Sequence, residues 1–425
     1  MNFLYKNDDE RNQLKQFFLN NVHGIDKNKK TVLMTVSSET GTAYFRLQIP
    51  LFAMYEKYPD KYNYILIETD KFSINVVKNA DIWIGHRAGT ANSTYLKYSR
   101  AFPYNNKTIL TVGDFDDNEY NLPPNHSMRQ MWYATKKDQL AKYQLGNVDL
   151  VTTTGRELKK DFMEFQKSDN IRIFKNCFNW NLPQWNLEKN RENEPLTIGW
   201  AGLTSHYEDV KKMSLFLKVI HDKYPQVQFK IAGLTTKDEM YSIKYNEKGD
   251  ALLEQMEVND MKQTYAYRIK QLFKDFDPKR VEFLGVLSLS EYGKFYTMWD
   301  INLAYIEHNR FNFCKSPIKV IEGAIYQCIN IYSDVGGYKN EFTDLLPSDL
   351  KKTYLKHNAC RTELTKEWVD KLSFWIENWD SDLRRSVQKE TKEFVKQEYD
   401  IFNSIDDRLS IYEEFYNRKD FSRKK

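Results

Sequence analysis

Residues 196–234, LTIGWAGLTSHYEDVKKMSLFLKVIHDKYPQVQFKIAGL, decide the fold class of this chain. Two runs of apolar, β-branched and aromatic residues, at 196–202 and 226–234, predict buried strands. The amphipathic stretch between them, residues 207–225, predicts a helix. A strand, a helix and a second strand in succession are typical of a parallel sheet covered by helices, so the stretch predicts an α/β fold.

The same alternation extends along most of the chain. In the first half, the pattern predicts helices at 43–59 and 126–143, and strands at 31–38, 62–68, 80–87, 106–117, 148–154 and 170–176. In the second half, it predicts a polar insertion with one amphipathic helix at 235–279, helices from about residue 364 onward, and strands at 280–286, 300–306 and 328–334. The segment 177–195, rich in Asn, Pro and charged residues, predicts a linker between two domains.

This order of elements predicts an α/β protein in which two Rossmann-like, doubly wound domains face a central cleft. We expect an N-terminal domain at residues 1–180, a second domain at 196–395, and a C-terminal helix, 396–425, that packs back on the first domain. Ligands of such folds bind beyond the carboxyl ends of the strands. The cleft is therefore the expected ligand site.

Composition and charge narrow the function classes. The 63 basic and 59 acidic residues leave a net charge of +4, which is not the clustered excess typical of a nucleic-acid coat. The N-terminus lacks the pattern of a signal peptide, and no stretch approaches the ~18 apolar residues of a membrane span. Four cysteines without a CxxC pair predict buried, reduced thiols in a cytoplasmic protein. Abundant Asn, Lys and Tyr are typical of an AT-rich genome, as in a low-GC bacterium or a phage.

Several well-known motifs are absent from the sequence. It contains no G-x-G-x-x-G after a strand, no G-x-x-x-x-G-K-[ST], no H-E-x-x-H and no G-x-S-x-G. The dehydrogenase, P-loop, zinc-peptidase and serine-hydrolase interpretations therefore lose their usual support.

A charged helix start at residues 311–324, FNFCKSPIKVIEGA, is the first candidate binding feature. Ser316 is predicted to cap the helix, so that free backbone donors lie beside Lys315 and Lys319. Such a helix start suits an anion, in particular a diphosphate, and Glu322 could accept hydrogen bonds from sugar hydroxyls. The alternative is a solvated Lys–Glu pair on an ordinary capped helix.

Two further loops after strands have a similar composition. The first begins at Gly202, and it places Ser205 as a predicted helix cap with His206 beside it. In the first domain, Gly41 could let a ligand approach the backbone. The alternatives are a polar surface residue for His206 and a simple turn at Gly41.

On these residues, the run 283–338 resembles the donor half of GT-B glycosyltransferases of the family-4 type, which share a CKS-x-x-K-x-x-E helix followed by a strand and SDVG. IGWAGLTSHYEDVK (198–211) resembles the same half, and GTAYFRLQIP (41–50) and VGDFDDNEYNLPPNH (112–126) resemble the acceptor half of bacterial and phage relatives. The resemblance implies two Rossmann-like domains and a nucleotide-sugar donor, a UDP- or GDP-sugar, in the cleft. It also implies that no metal or cofactor is required and that the anomeric configuration is retained.

The resemblance also implies roles for single residues. Glu322 matches the second Glu of a Glu-x7-Glu motif, which holds the ribose of the nucleotide. Lys315 and Lys319 would lie near the diphosphate, and the loop 202–205 would line the other side. Cys314 occupies the position of the first Glu, so the contacts to the donor sugar would differ from those of the family.

Acceptor-side chemistry is expected at the ends of two strands of the first domain. His86 follows one buried strand, and Asp116 and Asp117 follow another. Side chains at these positions could position an acceptor hydroxyl or stabilise charge. The alternative for the two aspartates is a loop or helix cap.

Three functions remain open from the sequence. The first is a glycosyltransferase whose acceptor is a surface glycan, a protein, a small molecule or a modified DNA base. The second is a catalytically silent nucleotide-sugar-binding or scaffold protein, which Cys314 motivates. The third is a sugar-nucleotide epimerase. The oligomeric state is not encoded in a recognisable pattern.

Overall fold

A computed structural model describes residues 5–36, 41–68, 73–87, 92–94, 96–97, 108–126, 128–235, 240–245, 251–256 and 264–424. Residues 37–40 of the predicted Gly41 loop lie outside the described residues, as does part of the 235–279 insertion. None of the helices in the described part of the chain combines the length and the apolar character that a membrane span requires.

The first domain is built on a six-stranded parallel sheet with the order β2-β1-β3-β4-β5-β6. The runs of Val, Ile, Leu and Tyr that predicted these strands are buried on both faces, as parallel sheets require. The strands are β1 Lys30–Val36, β2 Tyr62–Glu68, β3 Ile82–His86, β4 Leu110–Phe115, β5 Leu150–Thr153 and β6 Ile171–Ile173.

The second domain repeats the architecture with the order β11-β8-β7-β12-β13-β14. A β9–β10 hairpin, absent from the prediction, belongs to the insertion between β8 and β11. These strands are β7 Thr197–Ala201, β8 Gln228–Leu234, β9 Met240–Tyr245, β10 Ala251–Met256, β11 Val281–Gly285, β12 Ile301–Ala304, β13 Ile329–Ser333 and β14 Ala359–Cys360. The prediction of two Rossmann-like sheets is thus confirmed.

Helices connect the strands, as parallel pairing demands. In the first half they are Asp8–Asn20, Gly41–Ala43, Ile49–Lys57, Ile74–Val77, Arg129–Ala134, Lys137–Asn147 and Arg156–Phe162, with a π-helical turn at Tyr44–Gln48. In the second half they are Tyr207–Lys223, Tyr265–Leu272, Lys294–Thr297, Arg310–Phe313, Ile318–Ile325, Gly336–Asn340, Ser348–His357, Thr365–Glu377, Asp382–Glu398 and Ile401–Lys424.

The predicted single helix at 126–143 was wrong. The structure has two helices there, because Lys136 adopts a left-handed backbone conformation with φ of 56°. A residue in that conformation cannot continue a right-handed helix. No glycine or proline marks the break, so no local pattern signals it.

Each sheet has one topological switch point, where the chain leaves neighbouring strands in opposite directions. In the first sheet it lies between β1 and β3, and in the second between β7 and β12. Ligands of open α/β sheets bind beyond the carboxyl ends of the strands at such points. At the first switch point, the Gly41 loop follows β1 and His86 ends β3. At the second, the Gly202 loop follows β7 and Glu307 follows β12.

The segment predicted as a linker is packed rather than free. Phe178 stacks on Trp180 with ring centroids 4.6 Å apart, and Trp185 meets Phe178 edge-on. The backbone of Phe178 also bonds Tyr399 and Ile401, at 2.8 and 2.9 Å. The chain therefore crosses between the domains twice, side by side. The last helix, Ile401–Lys424, then lies against the Ile49–Lys57 helix of the first domain.

A buried ion pair lies in the core of the first domain. Arg46 donates two hydrogen bonds to Asp114, at 2.9 and 2.6 Å, and a third to the carbonyl of Phe174. Asp114 also accepts from the Thr152 hydroxyl at 2.6 Å. Asp114, one of the three carboxylates of GDFDD, therefore acts as the partner of a buried cation.

Candidate active site in the interdomain cleft

The first turn of the Ile318–Ile325 helix brings Lys319 against the end of β7. Its ammonium donates to the carbonyl of Ala201 at 2.7 Å and lies 4.8 Å from the ring centre of Trp200. Burial lowers the pKa of Lys319 to about 8, because a buried ammonium loses hydration. A cation is thus held at the switch point of the second sheet.

Gly202 makes this arrangement possible. A Cβ atom at this position would lie 2.5 Å from the Trp200 ring and 2.9 Å from the Lys319 ammonium. Both distances are far below van der Waals contact, so only glycine leaves room for the lysine to reach the strand end. Gly202 was predicted to line the donor loop, and the close packing of Trp200 and Lys319 explains why this position is a glycine.

His206 and Asp209 form a hydrogen-bonded pair beside Lys319. The Nδ1 atom of His206 is 2.7 Å from one carboxylate oxygen of Asp209, and the other oxygen accepts from the backbone N–H of Glu307 at 2.8 Å. Burial raises the pKa of Asp209 to about 6, against the opposing effects of that N–H and of Lys319. Burial and the neighbouring lysines hold the pKa of His206 well below its usual range.

The two predicted serine caps were wrong. Ser205 lies within the 3-10 turn Thr204–His206, and no side chain caps the Tyr207–Lys223 helix. Ser316 does not cap the Ile318–Ile325 helix either, because its hydroxyl accepts a hydrogen bond from the Asn176 amide at 2.8 Å. At Ser316, a tertiary partner 140 positions away in the sequence replaces the predicted cap.

The loop that carries Lys315 is shaped by the glycines of the SDVGG run. A Cβ atom on Gly336, whose φ is +46°, would lie 2.0 Å from the carbonyl oxygen of Phe313. A Cβ on Gly337 would lie 2.1 Å from the carbonyl oxygen of Lys315. The Lys315 ammonium lies 4.8 Å from the ring centre of Phe311. These close approaches hold the loop beside the helix start.

Glu322 is buried one turn further along the same helix. Only 2% of its surface is exposed, and it accepts a hydrogen bond from the Tyr296 hydroxyl at 2.5 Å. Burial raises its pKa to about 8, whereas Tyr296 and Lys319 act in the opposite direction. The carboxyl group is therefore mostly protonated at neutral pH in the ligand-free protein. The alternative of a solvated Lys–Glu pair on an ordinary helix is therefore wrong.

We expect the Glu322→Gln variant to lose less stability than the wild type as the pH rises from about 5 to 8. The wild-type carboxyl must hold its proton when folded but releases it near its ordinary value of 4.5 when unfolded. Stability therefore falls by about 1.4 kcal/mol per pH unit across this window, and a neutral amide removes the effect. Urea unfolding of both proteins at pH 5, 6.5 and 8 measures the difference. Parallel pH profiles would contradict the buried, protonated state.

His126 completes the cluster from the other domain, and sequence reasoning missed it. It ends the loop 121–126, and its ring lies 5.1 Å from that of Phe311, edge-on. Burial and Lys315 lower its pKa to about 4. Its Nδ1 atom accepts from the backbone N–H of Met128 at 3.2 Å, so the neutral ring carries its proton on Nε2. The two prolines of NLPPNH, which stiffen the loop, were the available signal.

Together, these side chains form an anion-compatible site. Lys315 and Lys319 supply positive charge, Glu322 is mostly neutral, and the carboxylate of Asp209 is engaged by His206 and the Glu307 N–H. The free backbone donors of a helix start lie beside both lysines. Within the described residues, no cluster of three or more His, Cys, Asp or Glu side chains is arranged to hold a metal ion.

Comparison with known proteins identifies the fold. No family model and no curated protein matches the sequence. Among solved structures, sucrose-phosphate synthase from Thermosynechococcus elongatus is similar with a TM-score of 0.61 and 12% identity, over 92% of this chain and 100% of that one. A glycosyltransferase from Rickettsia africae ESF-5 gives a TM-score of 0.57 and 13% identity, over 91% and 99%. The chain has the GT-B fold.

A third GT-B structure was solved with a bound ligand. Trehalose-6-phosphate synthase from E. coli, bound with UDP-2-fluoro glucose, is similar with a TM-score of 0.57 and 9% identity, over 90% of this chain and 99% of that one. The resemblance to GT-B glycosyltransferases noted in the sequence is confirmed at the level of the fold. At these identities, the similarity does not extend to substrates.

Cys314 does not face the donor side of the GT-B cleft. Its side chain belongs to the apolar cluster of the first domain, and its thiol lies 3.4 Å from Asp161. Burial raises the pKa of this thiol far above its usual range, so it stays protonated. The adjacent Arg310 binds Glu157 at 2.7 Å and also pairs with Asp161. Cys314 thus lies at a contact between the two domains, and all four cysteines are buried and free, as predicted.

The predicted catalytic residues form a separate cluster on the first GT-B domain. Arg87 binds both oxygens of Asp116, at 2.7 and 2.9 Å, and one oxygen of Asp117 at 3.2 Å. The Nε2 atom of His86 lies 3.5 Å from Asp116. Burial would raise the pKa of Asp116, but Arg87 and His86 outweigh it and hold the pKa well below its usual range.

The remaining predicted residue, Gly41, begins the first helix after β1. A Cβ atom there would lie 3.8 Å from Leu289 of the second domain, an ordinary contact. The glycine therefore faces the partner domain across the cleft. Nearby, Ser290 donates to Asp8 at 2.8 Å and so joins the two domains.

Proposed function

We propose that this protein is a glycosyltransferase that moves a sugar from a nucleotide-sugar donor to an acceptor hydroxyl. The proposal rests above all on the cluster at the second switch point, where Lys315, Lys319 and a helix start meet the His206–Asp209 pair. A diphosphate supplies the negative charge that balances the two lysines and the helix start. The similarity to a GT-B structure bound with UDP-2-fluoro glucose supports a uridine or related nucleotide.

In this proposal the two domains bind different substrates. Residues 196–395 bind the donor, residues 1–180 bind the acceptor, and the helix at 396–425 returns to the first domain. Glu322 holds the ribose after losing its proton or by donating it, and the 202–205 loop with Ser316 lines the diphosphate. Of the residues on the first domain, His86, Asp116 and Asp117 line the acceptor side, and Gly41 belongs to the donor-binding residues, where it lets the donor approach the backbone.

We propose transfer with retention and without a metal ion. The two lysines and the helix start neutralise the leaving diphosphate, a role that a divalent cation fills elsewhere. The leaving phosphate can then accept the proton of the acceptor hydroxyl on the same face. The ion-paired Asp116 and the largely buried His86 orient the acceptor rather than act as a free base.

Incubation with UDP-, GDP- and ADP-sugars tests the function. We expect at least one of them to raise the melting temperature and to be hydrolysed slowly in the absence of acceptor. A lack of any response to all three nucleotide classes would overturn the proposal. Product analysis by mass spectrometry in the same experiment distinguishes hydrolysis from epimerisation of the donor.

A catalytically silent nucleotide-sugar-binding protein is the second candidate. The position of Cys314, buried against the first domain, favours it, because the family's first Glu is missing from the cleft. Donor binding without hydrolysis or transfer, over a broad pool of glycans, would support this candidate.

The comparisons lend no support to a DNA base as the acceptor. The four buried, free thiols suit the cytoplasm, where we place the enzyme.

A further inference from the structure

A chain of hydrogen bonds runs from the core of the first domain to the start of the donor-side helix. Arg46, fully buried and paired with Asp114, donates through Nη1 to the side-chain oxygen of Asn176 at 3.2 Å. The Asn176 amide donates to the Ser316 hydroxyl at 2.8 Å. Asn176 is itself buried and lies three residues beyond the end of β6, where the chain leaves the first domain.

The direction of these bonds decides what Ser316 can do. A hydroxyl has one proton to donate and lone pairs to accept with. Because the Asn176 amide group donates to the Ser316 oxygen, the hydroxyl proton points elsewhere. Ser316 lies between the lysine-bearing loop and the helix start, so its hydroxyl is free to donate to a group that enters beside Lys315 and Lys319.

Arg46 fixes which end of the Asn176 amide faces the serine. The guanidinium group carries only donors, so the atom facing it must be the amide oxygen and the NH2 group must face Ser316. Arg46 cannot rotate away, since Asp114 and the Phe174 carbonyl hold its other donors. The orientation of the amide is thus set by a buried ion pair in the core of the first domain.

We propose that Asn176 is a positioning residue that turns the Ser316 hydroxyl proton toward the diphosphate of the nucleotide. This inference rests on the proposed function, because it assumes that a nucleoside diphosphate occupies the lysine-lined site. It adds that donor affinity depends on a residue of the connecting segment, which itself makes no contact with the ligand. A residue of the first domain thereby orients a donor-binding hydroxyl of the second domain.

The test is isothermal titration of wild type, Asn176→Ala, Ser316→Ala and the double variant with UDP, GDP and ADP, and with the corresponding nucleosides. We expect each single variant to bind the diphosphate about 10- to 100-fold more weakly, as for the loss of one hydrogen bond to a charged group. The double variant should bind no more weakly than Ser316→Ala, because both changes remove the same bond. Ser316→Thr, which keeps a hydroxyl, should restore most of the affinity.

Nucleoside binding separates positioning from a structural defect. A positioning role predicts unchanged nucleoside affinity in Asn176→Ala, whereas a distorted site would weaken nucleoside and diphosphate alike. Wild-type diphosphate affinity in Asn176→Ala, or additive losses in the double variant, would overturn the inference while leaving the proposed function intact. Absence of diphosphate binding by the wild type would instead overturn the proposed function itself.

Discussion

Replacement of Arg46 by methionine is expected to destabilise the protein by about 3–5 kcal/mol. The side chain is fully buried, and its removal leaves the Asp114 carboxylate in the core without its cation. An uncompensated buried charge costs this much because hydration cannot replace the lost partner. The Phe174 carbonyl also loses a donor. Urea unfolding monitored by circular dichroism measures the change.

Two further variants show whether the ion pair is the cause. The double variant Arg46→Met with Asp114→Leu should recover much of the loss, since a buried pair replaced by apolar side chains is often tolerated. Arg385→Met is a matched control, because Arg385 forms an exposed pair with Asp382 and should change stability by less than about 1 kcal/mol. Equal losses of stability in the single and double Arg46 variants would show that lost packing, rather than the unpaired charge, causes most of the destabilisation.

Replacement of Lys319 by methionine is expected to weaken nucleoside-diphosphate binding by about 10- to 100-fold. The ammonium is held at the end of β7 by the Ala201 carbonyl, so it is already positioned for an anion. A charge-assisted bond of this kind contributes about 1.5–3 kcal/mol. Methionine keeps the apolar stem over Trp200 and removes only the charge. Titration calorimetry with UDP, GDP and ADP measures the loss.

The pH dependence provides a second readout for Lys319. Because burial lowers its pKa to about 8, wild-type affinity for the diphosphate should fall as the pH rises above 8 and the ammonium loses its proton. Lys319→Arg stays charged and, if the guanidinium fits, should lose less affinity than the wild type from pH 7 to 9, with the remaining loss due to ionisation of Glu322, whose pKa is also about 8. Lys352→Met, which alters an exposed lysine, should bind as the wild type does. Unchanged affinity in Lys319→Met would remove this residue from the site.

Local sequence patterns predicted most of the fold. The alternation of β-branched runs with amphipathic stretches placed every strand of the first sheet and five of the six strands of the second. The short β14, with only two residues, has no pattern to detect. The break at Lys136 escaped as well, because its backbone conformation is imposed by the surrounding structure rather than by glycine or proline.

The candidate site was predictable in part. Gly202, His206, Lys315 and Lys319 follow strands or open a helix, and the structure brings them to one switch point. His126 was missed, because only the folded chain carries the 121–126 loop across the cleft to Phe311. The cap assigned to Ser316 failed because its hydroxyl meets Asn176 only in the folded chain, and the cap assigned to Ser205 failed because this residue lies within a 3-10 turn.

The sequence by itself determined the two parallel sheets and the strand ends that carry charged residues. Both follow from the periodicity of residues over short stretches of chain. Only the tertiary structure decided that Glu322 is buried against Tyr296. It also decided that Ser316 accepts a hydrogen bond from Asn176, which is 140 positions away in the chain. Those contacts depend on which distant surfaces meet when the domains pack. They set the protonation of the carboxyl and the direction of the hydroxyl, neither of which a local pattern encodes.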